Sequence, residues 1–79
     1  MRARVFVTLK PSVFDPQGKT IHDALVGMGY AGVKDVRQGK FFELELLGTS
    51  EDARATIEEI SRKVLANPVI ESFRVEIEP

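Results

Sequence analysis

The 79-residue sequence contains no cysteine and a single histidine, His22. Without cysteine there is no disulfide framework, no thiolate nucleophile and no zinc site built on cysteine pairs. His22 stands in no serine, cysteine or aspartate pattern that would form a nucleophile and base pair. The sequence therefore gives no support for catalysis by this chain alone.

Long apolar runs and a charge of one sign are also missing. The net charge is −1, and the basic and acidic side chains are interspersed along the chain. That balance gives no electrostatic footprint for a nucleic acid or an anionic membrane. No apolar stretch reaches the length of a membrane span, about 20 residues, or the shorter core of a secretory signal. We therefore expect a cytoplasmic protein, with neither nucleic acid nor membrane among its partners.

The sequence shows no internal division, because it has no repeats, no low-complexity segment and no stretch polar enough to be a linker. We interpret residues 1–79 as one domain. A domain of this size buries roughly 60 to 65% of the surface of its unfolded chain, so its core is small. With no disulfide available, association with another subunit is a common way to stabilise such a chain.

The first third of the chain predicts a strand followed by a helix. In residues 3–9, Val5, Val7 and Leu9 alternate with other side chains, which is typical of a strand. An aspartate followed by proline at positions 15 and 16 is typical of a helix start, because the carboxylate accepts a free amide and proline pre-sets the backbone. Gly29 is expected to end this helix. The apolar stripe of the helix would be Ile21, Ala24, Leu25 and Met28.

An extended pattern follows in residues 33–47. It is broken at Gln38-Gly39, which would let two strands fold back on each other as a hairpin. The sequence therefore predicts two adjacent strands in this part of the chain.

The last third predicts a second helix and a final strand. Thr49 or Ser50 would cap the helix, and Pro68 should stop it at about Ala66, because the residue before a proline is pushed out of the helical region. The stripe expected to be buried is Ala53, Ile57, Ile60 and Val64. The final strand is expected to place on one side Val69, Phe73, Val75 and Ile77.

The predicted element order is βαββαβ. Two right-handed crossovers would then place both helices on one face of a four-stranded antiparallel sheet, in a ferredoxin-like α+β fold. The other face would carry two aromatic side chains, Phe6 and Phe41, among charged and polar residues. Because a small core gains from covering such a face, we expect Phe6 and Phe41 to mediate self-association. Their expected neighbours are Arg4, Thr8, Glu43, Glu45, Arg74 and Glu76, with Leu47 as a further candidate.

Four short segments, taken in their order and at their spacings, resemble one family. They are Lys10-Pro11, Asp15-Pro16-Gln17-Gly18, Asp35-Val36-Arg37-Gln38-Gly39-Lys40 and Leu65-Ala66-Asn67-Pro68-Val69-Ile70-Glu71. The resemblance is to PurS, the small accessory subunit of phosphoribosylformylglycinamidine synthase in de novo purine biosynthesis. It covers nearly the whole chain, from Val5 to Ile77.

The resemblance implies a subunit without catalytic residues of its own. In that family the synthase consists of a large ATP-dependent synthetase, a glutaminase and PurS. PurS, as a dimer or tetramer, is expected to dock the glutaminase against the synthetase so that ammonia passes between them. This chain would then bind no cofactor and no metal, since ATP and magnesium are used by the synthetase. Any enzymatic activity would belong to the complex and not to the chain alone.

The same resemblance makes the polar residues of these segments candidates for partner binding. A structural role is open for each as well, since Asp15 can cap a helix and Asn67 can terminate one. Arg37 and Lys40 favour docking, because a hairpin needs neither charge and both can reach a carboxylate or a phosphate. Replacing Arg37 with alanine is predicted to weaken complex formation while leaving the fold intact. The candidates are Asp15, Gln17, Asp35, Arg37, Lys40 and Asn67.

Other functions share the predicted element order. An RNA recognition motif needs stacking aromatics in a basic setting on its third strand, where this chain has Glu43 and Glu45. Metal carriers of this fold need a Cys-x-x-Cys motif, which the sequence lacks. A regulatory domain that binds a small metabolite between paired copies remains the alternative, because such ligands bind backbone amides and leave no sharp motif.

Overall fold

A computed structural model describes residues 1–48 and 50–78. In chain order the elements are β1 Arg2–Leu9, α1 Pro16–Gly27, β2 Gly39–Glu45, α2 Ser50–Ile60, a π-helical turn Ser61–Leu65, and β3 Glu71–Glu78. The predicted capping of α2 by Thr49 or by the side chain of Ser50 lies outside the described part of the chain. Within the described part, no helix is long and apolar enough to cross a membrane.

The strands form one antiparallel sheet in the order β2-β1-β3. Val5 is fully buried at the centre of one face and lies opposite Phe42 and Val75. Cross-strand neighbours in an antiparallel sheet point to the same side, so the even-numbered residues of β1 share the other face with their partners. This register confirms most of the predicted open face, which carries Arg4, Phe6, Thr8, Phe41, Glu43, Glu45, Arg74 and Glu76. Leu47, the further candidate, lies beyond the end of β2 and is fully exposed.

The predicted four-stranded sheet is wrong, because the described residues form a sheet of three strands and residues 33–38 form none. The expected hairpin across Gln38-Gly39 is replaced by contacts at the end of the sheet. The backbone N–H of Gln38 donates to Oδ2 of Asp15 at 2.7 Å, and the side chain of Arg37 donates to the carbonyl of Lys10 at 3.0 Å. These bonds hold the segment before β2 against the β1–α1 loop, so it does not turn back along β2. The fold is ferredoxin-like without that strand.

The prediction that both helices cover one face of the sheet is also wrong. The helix α2 packs against β3, whereas α1 makes only marginal contact with the strands. Ile21, in the stripe predicted for α1, is 40% exposed. The reason is that the first turn of α1 is held at the end of the sheet and the helix projects from there, which gives a molecule 49 Å long and 14 Å thick. The core consists of Ala3, Val5, Val7, Ile57 and Ala66.

The prediction of a buried stripe on α2 is confirmed at the start of the helix and is wrong at its end. Ala53 and Ile57 are buried, but Val64 is 76% exposed. The π-helical turn adds a residue to the helical repeat, which moves Val64 to the solvent side. Ser61, one helical turn after the buried Ile57, has none of its surface exposed. The helical segment stops before Ala66, whose backbone is extended, as predicted.

The outer face of α2 carries salt bridges between oppositely charged side chains. Glu59 pairs with Lys63, and Glu58 pairs with Arg54. These are exposed pairs one helical turn apart, which contribute only a few tenths of a kcal/mol each, about 0.3–0.5. They mark this side of α2 as a solvated face.

The predicted boundaries of α1 are confirmed by its cap geometry. Asp15 has an extended backbone, its carboxylate accepts the N–H of Gly18, and Pro16 is the first helical residue. At the other end Gly29 has a φ of 101°, in the left-handed region that glycine adopts without strain. Both signals act locally, which is why the sequence alone located this helix.

Candidate functional site

The four segments that carry the family resemblance meet at one end of the sheet, where β1 ends and where β2 and β3 begin. The backbone N–H of Lys10 donates to the carbonyl of Ile70 at 2.8 Å, which joins the β1–α1 loop to the loop before β3. Arg37 and Gln38 join the segment before β2 to the same loop. We call this group of residues the motif cluster, and it consists of Asp15, Gln17, Asp35, Arg37, Gln38, Lys40, Asn67 and Glu71.

Asp15 is the most deeply buried member of the motif cluster, with 5% of its surface exposed. Its carboxylate accepts the backbone N–H groups of Gly18 at 2.9 Å and of Gln38 at 2.7 Å. The bond from Gln38, and to a lesser extent that from Gly18, holds the pKa of Asp15 below its usual value, because both bonds favour the ionised form. Asp15 therefore acts as a helix cap and as a link to the segment before β2. Its burial leaves little of it for a partner to touch.

The contact between α1 and the segment before β2 is too close for a side chain at position 18. A β-carbon on Gly18 would overlap the carbonyl oxygen of Val36 and crowd the carboxylate of Asp15. Beside this contact, the side-chain amide of Gln38 donates to Oε1 of Gln17 at 2.8 Å. Gln17 thus contributes to the same link from its exposed position.

Arg37 is an organiser of the β1–α1 loop. Its Nη2 donates to three backbone carbonyls, those of Leu9 at 3.4 Å, Lys10 at 3.0 Å and Val13 at 3.1 Å. The neighbouring Asp35 accepts the backbone N–H of Val36 at 2.9 Å. The charge of Arg37 remains on the surface while its donors hold the loop.

Asn67, Lys40 and Glu71 form the third part of the motif cluster. Oδ1 of Asn67 accepts the N–H of Val69 at 3.1 Å, and the N–H of Asn67 donates to Oε1 of Glu71 at 2.7 Å. The other carboxylate oxygen of Glu71 lies 3.4 Å from Nζ of Lys40. The side chain of Glu71 is only 11% exposed and that of Lys40 is 58% exposed. Glu71 was not among the predicted site residues, although it is the last residue of the fourth segment.

The motif cluster holds two apolar side chains out in solvent. Phe14 lies between Val13, whose carbonyl Arg37 binds, and the cap Asp15, and it is 68% exposed. Val69 lies in the turn that Asn67 closes, and it is 77% exposed. Neither was predicted as a site residue, because the sequence alone does not separate an exposed apolar loop residue from a buried one.

A groove of about 290 Å³ runs over the motif cluster. Its volume is at the lower limit of ordinary small-molecule pockets, which span about 300–1,000 Å³. Its walls include Gln17, Gln38, Lys40 and Glu71. In the described ranges, 1–48 and 50–78, no three acidic or histidine side chains gather as a group that could hold a metal ion.

The model of one protein family, described as PurS: Phosphoribosylformylglycinamidine (FGAM) synthase, matches residues 2–79. The chain belongs to the PurS family. A relative from Bacillus subtilis, named phosphoribosylformylglycinamidine synthase subunit PurS, is 44% identical over 77 residues, which cover 98% of this chain and 92% of the relative. The resemblance carried by the four segments is thereby confirmed.

Two solved structures share the fold and most of the length. PurS of Methanocaldococcus jannaschii, described as one of the subunits of formylglycinamide ribonucleotide amidotransferase in the purine biosynthetic pathway, matches with a TM-score of 0.89 and 35% identity. The match covers 98% of this chain and 94% of the Methanocaldococcus jannaschii chain. A structure described as PurLQS from Thermotoga maritima matches with a TM-score of 0.85 and 29% identity, over 95% of this chain and 93% of that one.

The open face of the sheet is a second candidate surface, built from the predicted self-association residues. The rings of Phe6 and Phe41 lie 5.1 Å apart at an interplanar angle of 44°, and the guanidinium of Arg74 lies 4.3 Å from the centre of the Phe6 ring. Phe41 is 50% exposed. Charged pairs flank the rings, among them Arg4 with Glu78 at 3.1 Å. An aromatic centre with a charged rim is the usual anatomy of a protein interface.

Proposed function

We propose that this chain is a non-catalytic subunit of phosphoribosylformylglycinamidine synthase that docks a glutaminase onto an ATP-dependent synthetase in de novo purine biosynthesis. The observation that carries the proposal is the likeness to the Thermotoga maritima PurLQS structure over 95% of this chain. In this role the chain binds neither ATP nor magnesium, which belong to the synthetase, and it acts in the cytoplasm.

The physical task is positioning. Ammonia released into water is protonated and diluted, and the protonated form is not a nucleophile. A subunit that holds two active sites together converts diffusion through solvent into transfer over a short path, which raises the effective concentration at the second site. The chain needs no catalytic group for this task, only surfaces that fit its partners.

The motif cluster is the docking surface that we propose for the larger subunits. Asp15, Arg37 and Asn67 hold its three loops in fixed positions through bonds to backbone groups. Those loops present Phe14 and Val69 as exposed apolar side chains. Rigid apolar side chains lose little conformational freedom on binding, which lowers the cost of association. Lys40, largely exposed, adds a charge at the rim of the surface.

The open face supports the proposal that the protein is a homo-oligomer, a dimer or a tetramer. Phe6 and Phe41 would be buried between two sheets, and the surrounding charges would remain at the edge. A marginal core of this size gains stability from such an interface.

The experiment that tests the bridging role is the synthetase reaction with the large subunit and the glutaminase, run with and without this chain. With glutamine as nitrogen source, turnover is expected only when the chain is present. With ammonium, turnover is expected to be much less affected, because ammonia then reaches the synthetase from solution. If neither reaction responds and no three-subunit complex forms, the bridging role is excluded.

A matched pair of variants tests the docking surface. Val69→Asp is expected to abolish glutamine-dependent turnover and to leave ammonium-dependent turnover intact. Leu47→Asp is the control, because Leu47 is fully exposed and follows β2 at the opposite end of the sheet. Equal activity of the two variants with glutamine would remove the motif cluster from the docking surface.

A further inference from the structure

A second pocket, of about 160 Å³, lies between the start of α1 and the segment before β2. Lys19 and His22 line it from α1, and residues 34–37 line it from the segment before β2. It shares only Asp15 with the groove over the motif cluster. Its volume is below the range of about 300–1,000 Å³ that ordinary small-molecule pockets span. The pocket is therefore of a size for one small chemical group.

Basic side chains outnumber acidic ones in the wall of this pocket. The acidic ones are Asp15 and Asp35, and both already accept backbone N–H groups of their own chain. Ammonium and guanidinium groups carry donors only, so the hydrogen-bonding capacity that the wall offers to a ligand is that of a donor. The basic side chains are Lys19, His22, Lys34 and Arg37.

Asp23 pairs with two of these basic groups from its place on α1. Nζ of Lys19 donates to Oδ1 of Asp23 at 2.9 Å and to Oδ2 at 3.1 Å, and Nδ1 of His22 lies 3.1 Å from Oδ1. An ammonium group has three donors, so Lys19 keeps one beyond its two bonds to this carboxylate. Asp23 therefore offsets part of the positive charge, and the main donors for a ligand are those of Lys34 and Arg37.

Lys34 and Arg37 keep donors that the fold does not use. Lys34 is exposed, and it forms no ion pair or side-chain hydrogen bond with any residue in the ranges 1–48 and 50–78. The bonds of Arg37 to the carbonyls of the β1–α1 connection all run through Nη2, so the N–H groups of Nη1 and Nε remain for a ligand. Because these bonds already hold the guanidinium in place, an anion that binds it immobilises little more of the side chain.

The charge of the whole chain is divided in the same sense. Residues 10–40, which contain α1 and the segments beside the pocket, hold five lysine or arginine residues and three acidic ones. The rest of the chain holds six lysine or arginine residues and nine acidic ones. A local excess of positive charge raises the concentration of small anions near the pocket. The excess is small, which suits one anionic group and not a polyanion.

We propose that this pocket binds one phosphate group, of inorganic phosphate or of a small phosphomonoester, through the ammonium of Lys34 and the remaining donors of Arg37. A phosphate monoester carries a charge of about −1.5 to −2 at pH 7 and three strong acceptor oxygens. It can therefore bind several separate donors at once, whereas a carboxylate has two oxygens. Phe14 and Val36 also line the pocket and give the carbon skeleton of a phosphomonoester an apolar contact. The site does not depend on the bridging role proposed above.

Titration of the chain with inorganic phosphate, glycerol 3-phosphate and glycerol, in a phosphate-free buffer of constant ionic strength, tests the site. The amide chemical shifts of Lys19, His22 and residues 34–37 are expected to change saturably with a phosphate compound and not with glycerol. Saturation by one of the two phosphate compounds alone supports the site and identifies the source of the phosphate group. The absence of saturable shifts with both would overturn the proposal. Because the larger subunits are not used, a failure here leaves the glutamine assay untouched.

A matched pair of variants separates a phosphate site from a general effect of charge. Lys34→Gln and Lys63→Gln each remove one positive charge from an exposed position, but Lys63 lies in the π-helical turn and pairs with Glu59. Lys34→Gln is expected to weaken phosphate binding about tenfold, because a charge-assisted hydrogen bond is lost. Lys63→Gln is expected to change the dissociation constant by no more than about twofold, as a distant and screened charge does. Equal weakening by the two variants would show that phosphate responds only to net charge, and would overturn the site.

Discussion

The carboxylate of Asp15 accepts the backbone N–H of Gln38 at 2.7 Å, across 23 positions of the sequence. The same carboxylate caps α1 through Gly18. One side chain therefore fixes where α1 begins and where the chain enters β2. Loss of the carboxylate would leave the backbone N–H groups of Gly18 and Gln38 without their acceptor.

Replacement of Asp15 by asparagine is predicted to lower the melting temperature and to remove a pH dependence. The bound amides depress the pKa of Asp15, so the stabilisation is present above the usual aspartate pKa near 3.8 and is lost as the pH falls through the folded-state pKa. An asparagine side chain has one oxygen and one donor group, so one of the two amides would face another donor. Thermal unfolding between pH 7 and pH 2.5 measures the effect. A parent and variant with parallel curves below pH 4 would contradict the assignment.

Replacement of Gly18 by alanine is predicted to destabilise the protein by about 1–3 kcal/mol, the usual cost of overpacking. The added methyl group would collide with the carbonyl oxygen of Val36, which belongs to the backbone and cannot move alone. Gly27→Ala in the same helix is the matched control, because no atom beyond its chain neighbours and the adjoining helix backbone lies within 4 Å of the position of its β-carbon. The control is expected to be neutral or slightly stabilising, since alanine favours a helix over glycine. Urea unfolding of both variants measures the difference in stability. Equal urea midpoints for the two variants would show that the contact between position 18 and Val36 is not tight.

The elements that the sequence predicted correctly are those set by local signals. The start of α1 follows from Asp15 and Pro16, and β1 follows from the alternation in residues 3–9. The absence of a strand in residues 33–38 could not be predicted, because the sequence pattern of this segment is compatible with a strand. The bond between Gln38 and Asp15, 23 positions apart, holds the segment in a different place. Val64 was misplaced because the sequence carries no signal for a π-helical turn.

The structure brings the predicted polar candidates together and uses several of them to hold the fold. The candidate polar residues do come together at one end of the sheet. However, the side chains of Asp15, Arg37 and Asn67 form hydrogen bonds with backbone groups of their own chain. These hydrogen bonds cannot be predicted from the sequence, because the loops that they join are far apart along the chain. The exposed Phe14 and Val69 are therefore a finding of the structure. Whether the polar candidates also touch a partner stays a prediction.

Replacement of Arg37 by alanine is predicted to cost stability as well as complex formation, which modifies the expectation that the fold stays intact. The carbonyls of Leu9, Lys10 and Val13 lose a charged donor, and one such bond contributes about 1.5–3 kcal/mol when it is well formed. Hydrogen exchange of the amides in residues 10–14 is expected to accelerate. Lys34→Ala, at an exposed position nearby, is the control and is expected to fall within about 0.5 kcal/mol of the parent. Unchanged exchange in the Arg37 variant would show that the loop holds itself.

The Lys40–Glu71 pair is predicted to couple weakly, because Lys40 is largely exposed. A double-mutant cycle with Lys40→Met and Glu71→Gln is expected to give a coupling free energy of about 0.2–1 kcal/mol, falling as salt is added. Glu71→Gln alone is expected to cost more than Lys40→Met alone, since Glu71 also accepts the backbone N–H of Asn67. The reverse order of the two single variants would mean that the ion pair, and not the bond to Asn67, fixes the loop before β3.

Replacement of Ser61 by alanine is predicted to leave stability unchanged or to raise it by about 1 kcal/mol. The hydroxyl of Ser61 is buried and has no hydrogen-bond partner among the described residues, and an unsatisfied buried group of this kind costs about 1–3 kcal/mol. Ser61 follows the buried Ile57 by one helical turn, which places it on the inner side of the helix. Thr56→Ala, on the exposed side of α2, controls for the gain in helix propensity. A loss of stability in the Ser61 variant, beyond that of the control, would show that the hydroxyl is hydrogen-bonded in solution.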